Sequence, residues 1–137
     1  MKLKKIPKII QNVETFFWGS MLIGGEVMQE LASHGGTEYN WSVGHLSDIG
    51  ASGMYTALYL MEADKRKNKL TIALGIPTLF SVVEVMSPLM TKHFPHPFRY
   101  DYQDIICYWG ASFVALGIKE LSEKLFDKKS SLESMAK

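Results

Sequence analysis

The chain alternates long stretches without charge and short clusters of charge. Residues 15–25, 49–61, 70–83 and 105–118 contain no Asp, Glu, Lys or Arg. These runs of 11, 13, 14 and 14 residues each fall short of the ~20 residues of helix that cross a bilayer. Each lengthens to 19–24 residues once one or two acids at its edge are taken in, over 9–32, 44–62, 70–90 and 101–121. Within the runs, apolar side chains would lie on every side of a helix, the pattern of a helix that is deeply buried or in lipid. Four such helices cannot all be central in a chain of 137 residues, because none would remain to form a wet outer layer. The pattern therefore predicts an all-α fold, a four-helix transmembrane bundle forming a single domain over residues 1–126. A polar, mobile cytoplasmic tail is expected over 127–137. Gly24–Gly25 and the patch Gly50, Ala51, Ser52, Gly53 are small enough to let helices approach closely. Pro77 sits in the middle of the third run, where a neighbouring helix can satisfy the carbonyl that proline frees.

The charges between the runs give a direction. Lys2, Lys4, Lys5 and Lys8 precede the first run, and Lys65, Arg66, Lys67 and Lys69 join the second to the third. Lys119, Lys124, Lys128, Lys129 and Lys137 follow the fourth, which puts 13 of the 15 basic residues on one side. The positive-inside rule then predicts a multi-pass membrane protein with both termini cytoplasmic. The first run has no small-residue cleavage site and continues into Glu26 and Glu30, so it does not read as a removable signal. Trp18, Trp41, Tyr39, Phe98, Tyr100 and Tyr102 suit either the membrane interface or packing.

Composition narrows the function classes. The formal net charge is +1, which argues against nucleic acid as a partner. A single cysteine, Cys107, cannot form an intramolecular disulfide, a CxxC pair or a thiolate zinc site. A faint repeat runs through the chain. Glu26-Val27-Met28 recurs 58 residues later as Glu84-Val85-Met86, and Asp48-Ile49 recurs 56 residues later as Asp104-Ile105. This is the pattern of two repeated helical hairpins related by an axis along the membrane normal.

Under this topology the acids gather at the extracytoplasmic end. Glu26 and Glu30 come late in the first span, Glu84 late in the third, Asp48 opens the second, and Asp101 and Asp104 open the fourth. His34, His45, His93, His96 and Arg99 fall on the same side. Glu26 and Glu30 share a helix face. His45, Asp48, Ser52, Tyr55, Thr56 and Tyr59 form one polar stripe, and Asp101, Asp104 and Tyr108 form another. A carboxylate at mid-membrane costs ~3 kcal/mol or more, so such faces should turn inward. An outward-opening polar pocket follows, with Glu26, Asp48, Glu84 and Asp104 as the catalytic candidates. Glu30, His45, Arg99, Asp101 and Tyr108 are the binding candidates. Asp48, Asp101 and Asp104 can equally be read as helix caps, a reading closed to the deeper Glu26 and Glu84. Carboxylates with His45 have the chemistry to hold Zn²⁺ or a similar ion, and His45 is the best single ligand candidate, although no HExxH is present. No nucleotide, flavin or serine-hydrolase motif occurs, so no cofactor is indicated.

Glu84, then Arg99, then Asp101-x-x-Asp104-Ile105-Ile106-x-Tyr108-x-Gly110-Ala111 resembles the VanZ-like group of small bacterial membrane proteins. That group is similar in having about four or five membrane helices, an Arg before paired acids at a helix start, and a Glu on the preceding helix. The likeness covers roughly residues 84–117; the family commonly has Asn where Tyr108 stands, and its Gly falls at Ala111. It implies Glu84, Arg99, Asp101 and Asp104 as functional residues, and its founding member is associated with glycopeptide resistance. The expectation is a membrane protein whose pocket binds a polar headgroup or a small polar solute. Two alternatives stand beside it. One is a membrane enzyme acting on a lipid-linked substrate through carboxylate or metal chemistry. The other is a non-catalytic subunit whose small-residue faces pack on a larger complex. A homo-oligomer that encloses the site is compatible with all three.

Overall fold

The computed structural model describes residues 5–35, 41–90 and 101–136, and these form four helices with no strand among the described residues. They are α1 (Lys5–Ser33), α2 (Trp41–Met61), α3 (Arg66–Met90) and α4 (Tyr102–Met135). Gly35 takes a left-handed φ of 74° just past α1, where its amide bonds Ala32 O at 3.1 Å. Glycine is suited to end a helix this way because it has no Cβ to clash. Asp101 caps α4: its backbone is extended and its carboxylate accepts the Gln103 amide at 2.9 Å.

α1 and α2 form a tight antiparallel pair. A Cβ placed on Gly25 would lie 2.3 Å from the Ser47 nitrogen, and one on Gly50 would lie 2.3 Å from the Leu22 nitrogen. The backbones touch, as small residues allow in closely packed helices. Trp18 lies over Gly53, buried, and its Nε1 donates to Glu14 at 3.2 Å. Trp18 is thus a packing residue. Gly24 has open space around it, so of the two small-residue patches it is Gly25, Gly50 and Gly53 that bring helices together, and they do so within the chain.

α2 and α4 run parallel and in register. Ser52 Oγ donates to Tyr108 O at 2.7 Å, and Thr56 Oγ1 meets Ser112 Oγ at 2.8 Å. Both pairs are 56 residues apart, the offset that also separates Asp48 from Asp104. Ala57, Leu60, Ala111 and Ala115 complete the buried seam.

α3 packs antiparallel on α4. Pro77 is buried in its middle and cannot bond the Ala73 carbonyl four residues back. Ser112 Oγ of α4 donates to that carbonyl at 3.0 Å, the rescue by a neighbouring helix expected from the sequence.

The interior is small and polar, and the exterior is apolar. Ser47, Ser52, Thr56, Ser112 and Ser122 are buried, whereas Phe16, Ile23, Leu79, Val83, Ile106 and Phe113 are exposed. α3 and α4 carry stretches long and apolar enough to cross a membrane, and that stretch of α3 is only 11% buried. α1 and α2 do not reach the same measure, because Gln11, Glu14 and Glu26 interrupt the first and His45, Asp48 and several hydroxyls the second. At the end where α3 begins, the buried Lys69 and Lys119 share the Glu123 carboxylate, Lys119 at 3.2 Å. The polar segment that follows residue 126 continues α4 as helix as far as Met135. It contains no Gly or Pro after Gly117 and offers acid–base pairs four apart such as Glu120–Lys124, so helix continues without a packing partner.

Two stability outcomes follow. Gly50→Ala should lower stability by about 1–3 kcal/mol through overpacking, while Gly24→Ala should be neutral or slightly stabilising; thermal melts in detergent compare them. Ser112→Ala should cost about 1–3 kcal/mol because it strands the Ala73 carbonyl, and less when Pro77→Ala restores that carbonyl's own partner. Equal losses in both backgrounds would disprove the link.

Candidate polar centre between the second and fourth helices

The register of α2 and α4 brings one polar group together at the end where both helices begin. His45 lies one turn into α2, with Asp48 three residues on and therefore on the same face. Asp104 sits in the first turn of α4, where the positive end of the helix dipole favours a carboxylate. His45 Nδ1 is 2.5 Å from Asp104 Oδ1, and its Nε2 is 3.1 Å from Gln103 Oε1. Asp101 Oδ2 stands 4.0 Å from Nε2. His45 is 7% exposed, and both its ring nitrogens are engaged.

Tyr108 extends the group to a third helix. Its hydroxyl is 3.2 Å from Asp48 Oδ1 and 3.3 Å from Glu84 Oε2 of α3. A phenol has one proton and can donate to one carboxylate at a time, so the second contact needs a proton or cation from elsewhere. The Tyr108 ring stands 5.2 Å from Phe80, which is in turn 5.8 Å from Tyr55. This run of rings holds the phenol between the two acids.

Six of the residues expected from the sequence thus meet: His45, Asp48, Glu84, Asp101, Asp104 and Tyr108. Glu26 and Glu30 do not. Both are exposed, and Glu30 pairs with His34 at 3.5 Å. The reason is helical phase. α1 faces α2 through Trp18, Leu22, Gly25 and Gln29, and Gln29 Nε2 donates to Gly44 O and Ser47 Oγ, each at 3.0 Å. Residues 26 and 30 share a face, but each follows a contact residue by one position, about 100° around the helix. Arg99, His93 and His96 lie outside the described residues. Asp101 is the helix cap among the acids; Asp48 lies well inside α2 and caps nothing.

Gln103 and Ser112 join the site or its floor without having been singled out from the sequence. Ser112 continues the stripe of Asp104 and Tyr108 at the next turn, a signal that periodicity carries. Gln103 has no such signal, because it reaches His45 from beside the cap. A cavity of about 520 Å³ opens at the opposite end, lined by Lys8, Gln11, Glu62, Asp64, Lys119 and Glu123 among others. Charges of both signs line it and compensate one another, whereas the centre where α2 and α4 begin gathers four carboxylates about His45 and Tyr108.

Tyr108→Phe keeps the ring and removes the hydroxyl. It should cost about 1 kcal/mol in thermal melts, and less in a Glu84→Gln background. Additive losses would mean that the hydroxyl and Glu84 do not interact.

Comparison of the chain with protein-family models, curated proteins and solved structures gives no match.

Proposed function

We propose that this chain is a multi-pass protein of a bacterial inner membrane, with cytoplasmic termini and an extracytoplasmic polar pocket. In this reading all four helices cross the bilayer, and the pocket takes a polar headgroup or a small polar solute. The observation that carries it is the meeting of His45, Asp48, Asp104, Tyr108 and Glu84 from three helices at one end of a bundle whose outer faces are apolar. Acids at membrane depth usually face a bundle interior or a wet cavity and usually serve function. The exposed apolar side chains of α1, α3 and α4 would invite aggregation in water and suit lipid. Lys65 to Lys69 and the basic stretch of α4 lie at the other end, as the positive-inside rule asks of a cytoplasmic side.

The VanZ-like reading draws support from the same place. Glu84, Asp101 and Asp104 belong to one cluster, and Tyr108 supplies a donor between Asp48 and Glu84 where that group commonly has Asn.

Orientation is tested with single cysteines in a Cys107→Ala background and a membrane-impermeant maleimide on intact cells. Cysteine at His34 and Asp101 should label, and cysteine at Lys67 and Lys128 should label only after permeabilisation. The reverse pattern would invert the topology, and labelling of all four in a detergent-free soluble fraction would remove the membrane from the proposal.

A further inference from the structure

We propose that His45, Asp48 and Asp104 hold a divalent transition-metal ion. One donor atom from each residue lies within 4.8 Å of the other two. An ion bonded to nitrogen and oxygen at about 2.0–2.2 Å has ligand atoms about 3–4 Å apart, so the three donors need only small side-chain adjustments to meet one. The ion would replace the proton that now joins His45 Nδ1 to Asp104 Oδ1 across 2.5 Å.

The surroundings fit a ligand set. A metal-bound histidine almost always donates its second N–H to a carbonyl, carboxylate or water, which fixes tautomer and ring orientation. Gln103 Oε1 sits 3.1 Å from Nε2, placed to accept that proton while Nδ1 faces the acids. Asp48 is held in the same manner by the Tyr108 hydroxyl at 3.2 Å. The ligands come from both α2 and α4, whose register is set farther down by Ser52 and Thr56, so the donors stand on packed helices rather than on loops. Asp48 and Asp104 repel one another when both are ionised, and a divalent ion offsets both charges. One nitrogen and two carboxylate oxygens suit Zn²⁺ or Mn²⁺; Ca²⁺ asks for 6–8 oxygens. Three protein ligands leave at least one position open, as metal sites that act on a bound molecule require.

This deepens the pocket reading and rests on it for the source of the ion, the extracytoplasmic side. The test does not depend on orientation. Full-length protein in detergent is stripped with chelator, dialysed, and titrated with Zn²⁺, Mn²⁺ or Ca²⁺ by calorimetry, and bound metal is counted by mass spectrometry. The expected result is one Zn²⁺ or Mn²⁺ per chain and no stoichiometric Ca²⁺. His45→Ala and Asp104→Asn should lose that uptake. Gln103→Leu should weaken it about 10–100-fold, and Glu26→Gln should leave it unchanged. Circular dichroism checks that each variant is folded. The Co²⁺ visible spectrum of the unaltered chain reports nitrogen ligation without any substitution. The proposal is overturned if folded wild-type protein takes up no ion, or if uptake survives in folded His45→Ala and Asp104→Asn. Either result leaves His45 and Asp104 as a hydrogen-bonded pair. A failed cysteine map with intact metal uptake would sink the topology alone; absent uptake with the expected map would sink the metal alone.

Discussion

The parallel contact between α2 and α4 is the constraint on which the polar centre depends. It is made by Ser52, Thr56, Ala57, Ala111, Ser112 and Ala115, all too small to keep the helices apart. Large apolar knobs could slide past one another at modest cost; hydroxyls cannot, because each must find its acceptor away from water. A slip of one helical turn, about 5.4 Å, would break the Ser52–Tyr108 and Thr56–Ser112 bonds together. It would also carry Asp104 away from His45 and the Tyr108 hydroxyl away from Asp48. The chemistry at the end of the bundle is therefore aligned by hydrogen bonds one and two turns deeper than Asp48 and Asp104.

The outer helices are fastened to this pair by two different devices. α1 is drawn in by the absence of side chains at Gly25, Gly50 and Gly53, where any Cβ would collide with α1 or α2. α3 is tied by a proline. Ser112 has one proton, and it is given to the Ala73 carbonyl that Pro77 leaves free, so Thr56 must be the donor in the Thr56–Ser112 bond. One hydroxyl thus joins three helices. The opposite end is closed by charge, with buried Lys69 and Lys119 on one Glu123, an arrangement in which removing the shared acid leaves two buried cations.

The four helices were legible because charge-free runs and the clusters between them mark helix and boundary directly. The inward stripe of α2 was legible in part. His45, Ser52 and Thr56 are buried as the spacing implied, while Tyr55 and Tyr59 lie on the stripe's edge and are exposed. The role of Pro77 was readable, though its partner was not, since nothing in a sequence says which hydroxyl stands opposite a freed carbonyl. The placement of Glu26 and Glu30 was the main error. Their spacing correctly put them on one face of α1, but the phase of that face is set by Gly25, Gly50 and Gly53. A glycine's capacity for close approach becomes a location only once both helices are in view. Over 127–135 polarity marks exposure, and an exposed segment of helix-forming residues can still continue a helix.

The spacing of the acids along the chain helps to show why the centre is one-sided. Asp48 and Asp104 stand 56 residues apart and come together where α2 meets α4. Glu26 and Glu84 match at an offset of 58, yet Glu84 alone joins the cluster. Helical phase turns Glu26 off the face that meets α2, while Glu84 finds a partner on α4. Glu84 meets Tyr108, a side chain long enough to bridge from α4 to both α2 and α3. The residue 56 positions before Tyr108 is Ser52, whose short side chain is already used in donating to the Tyr108 carbonyl. With Trp18 stacked over Gly53 and the backbones of α1 and α2 in contact, that side also has no room for a longer residue. A symmetric pattern of acids therefore gives an asymmetric site, because one half of the chain uses its small residues for close packing and the other uses a tyrosine to reach.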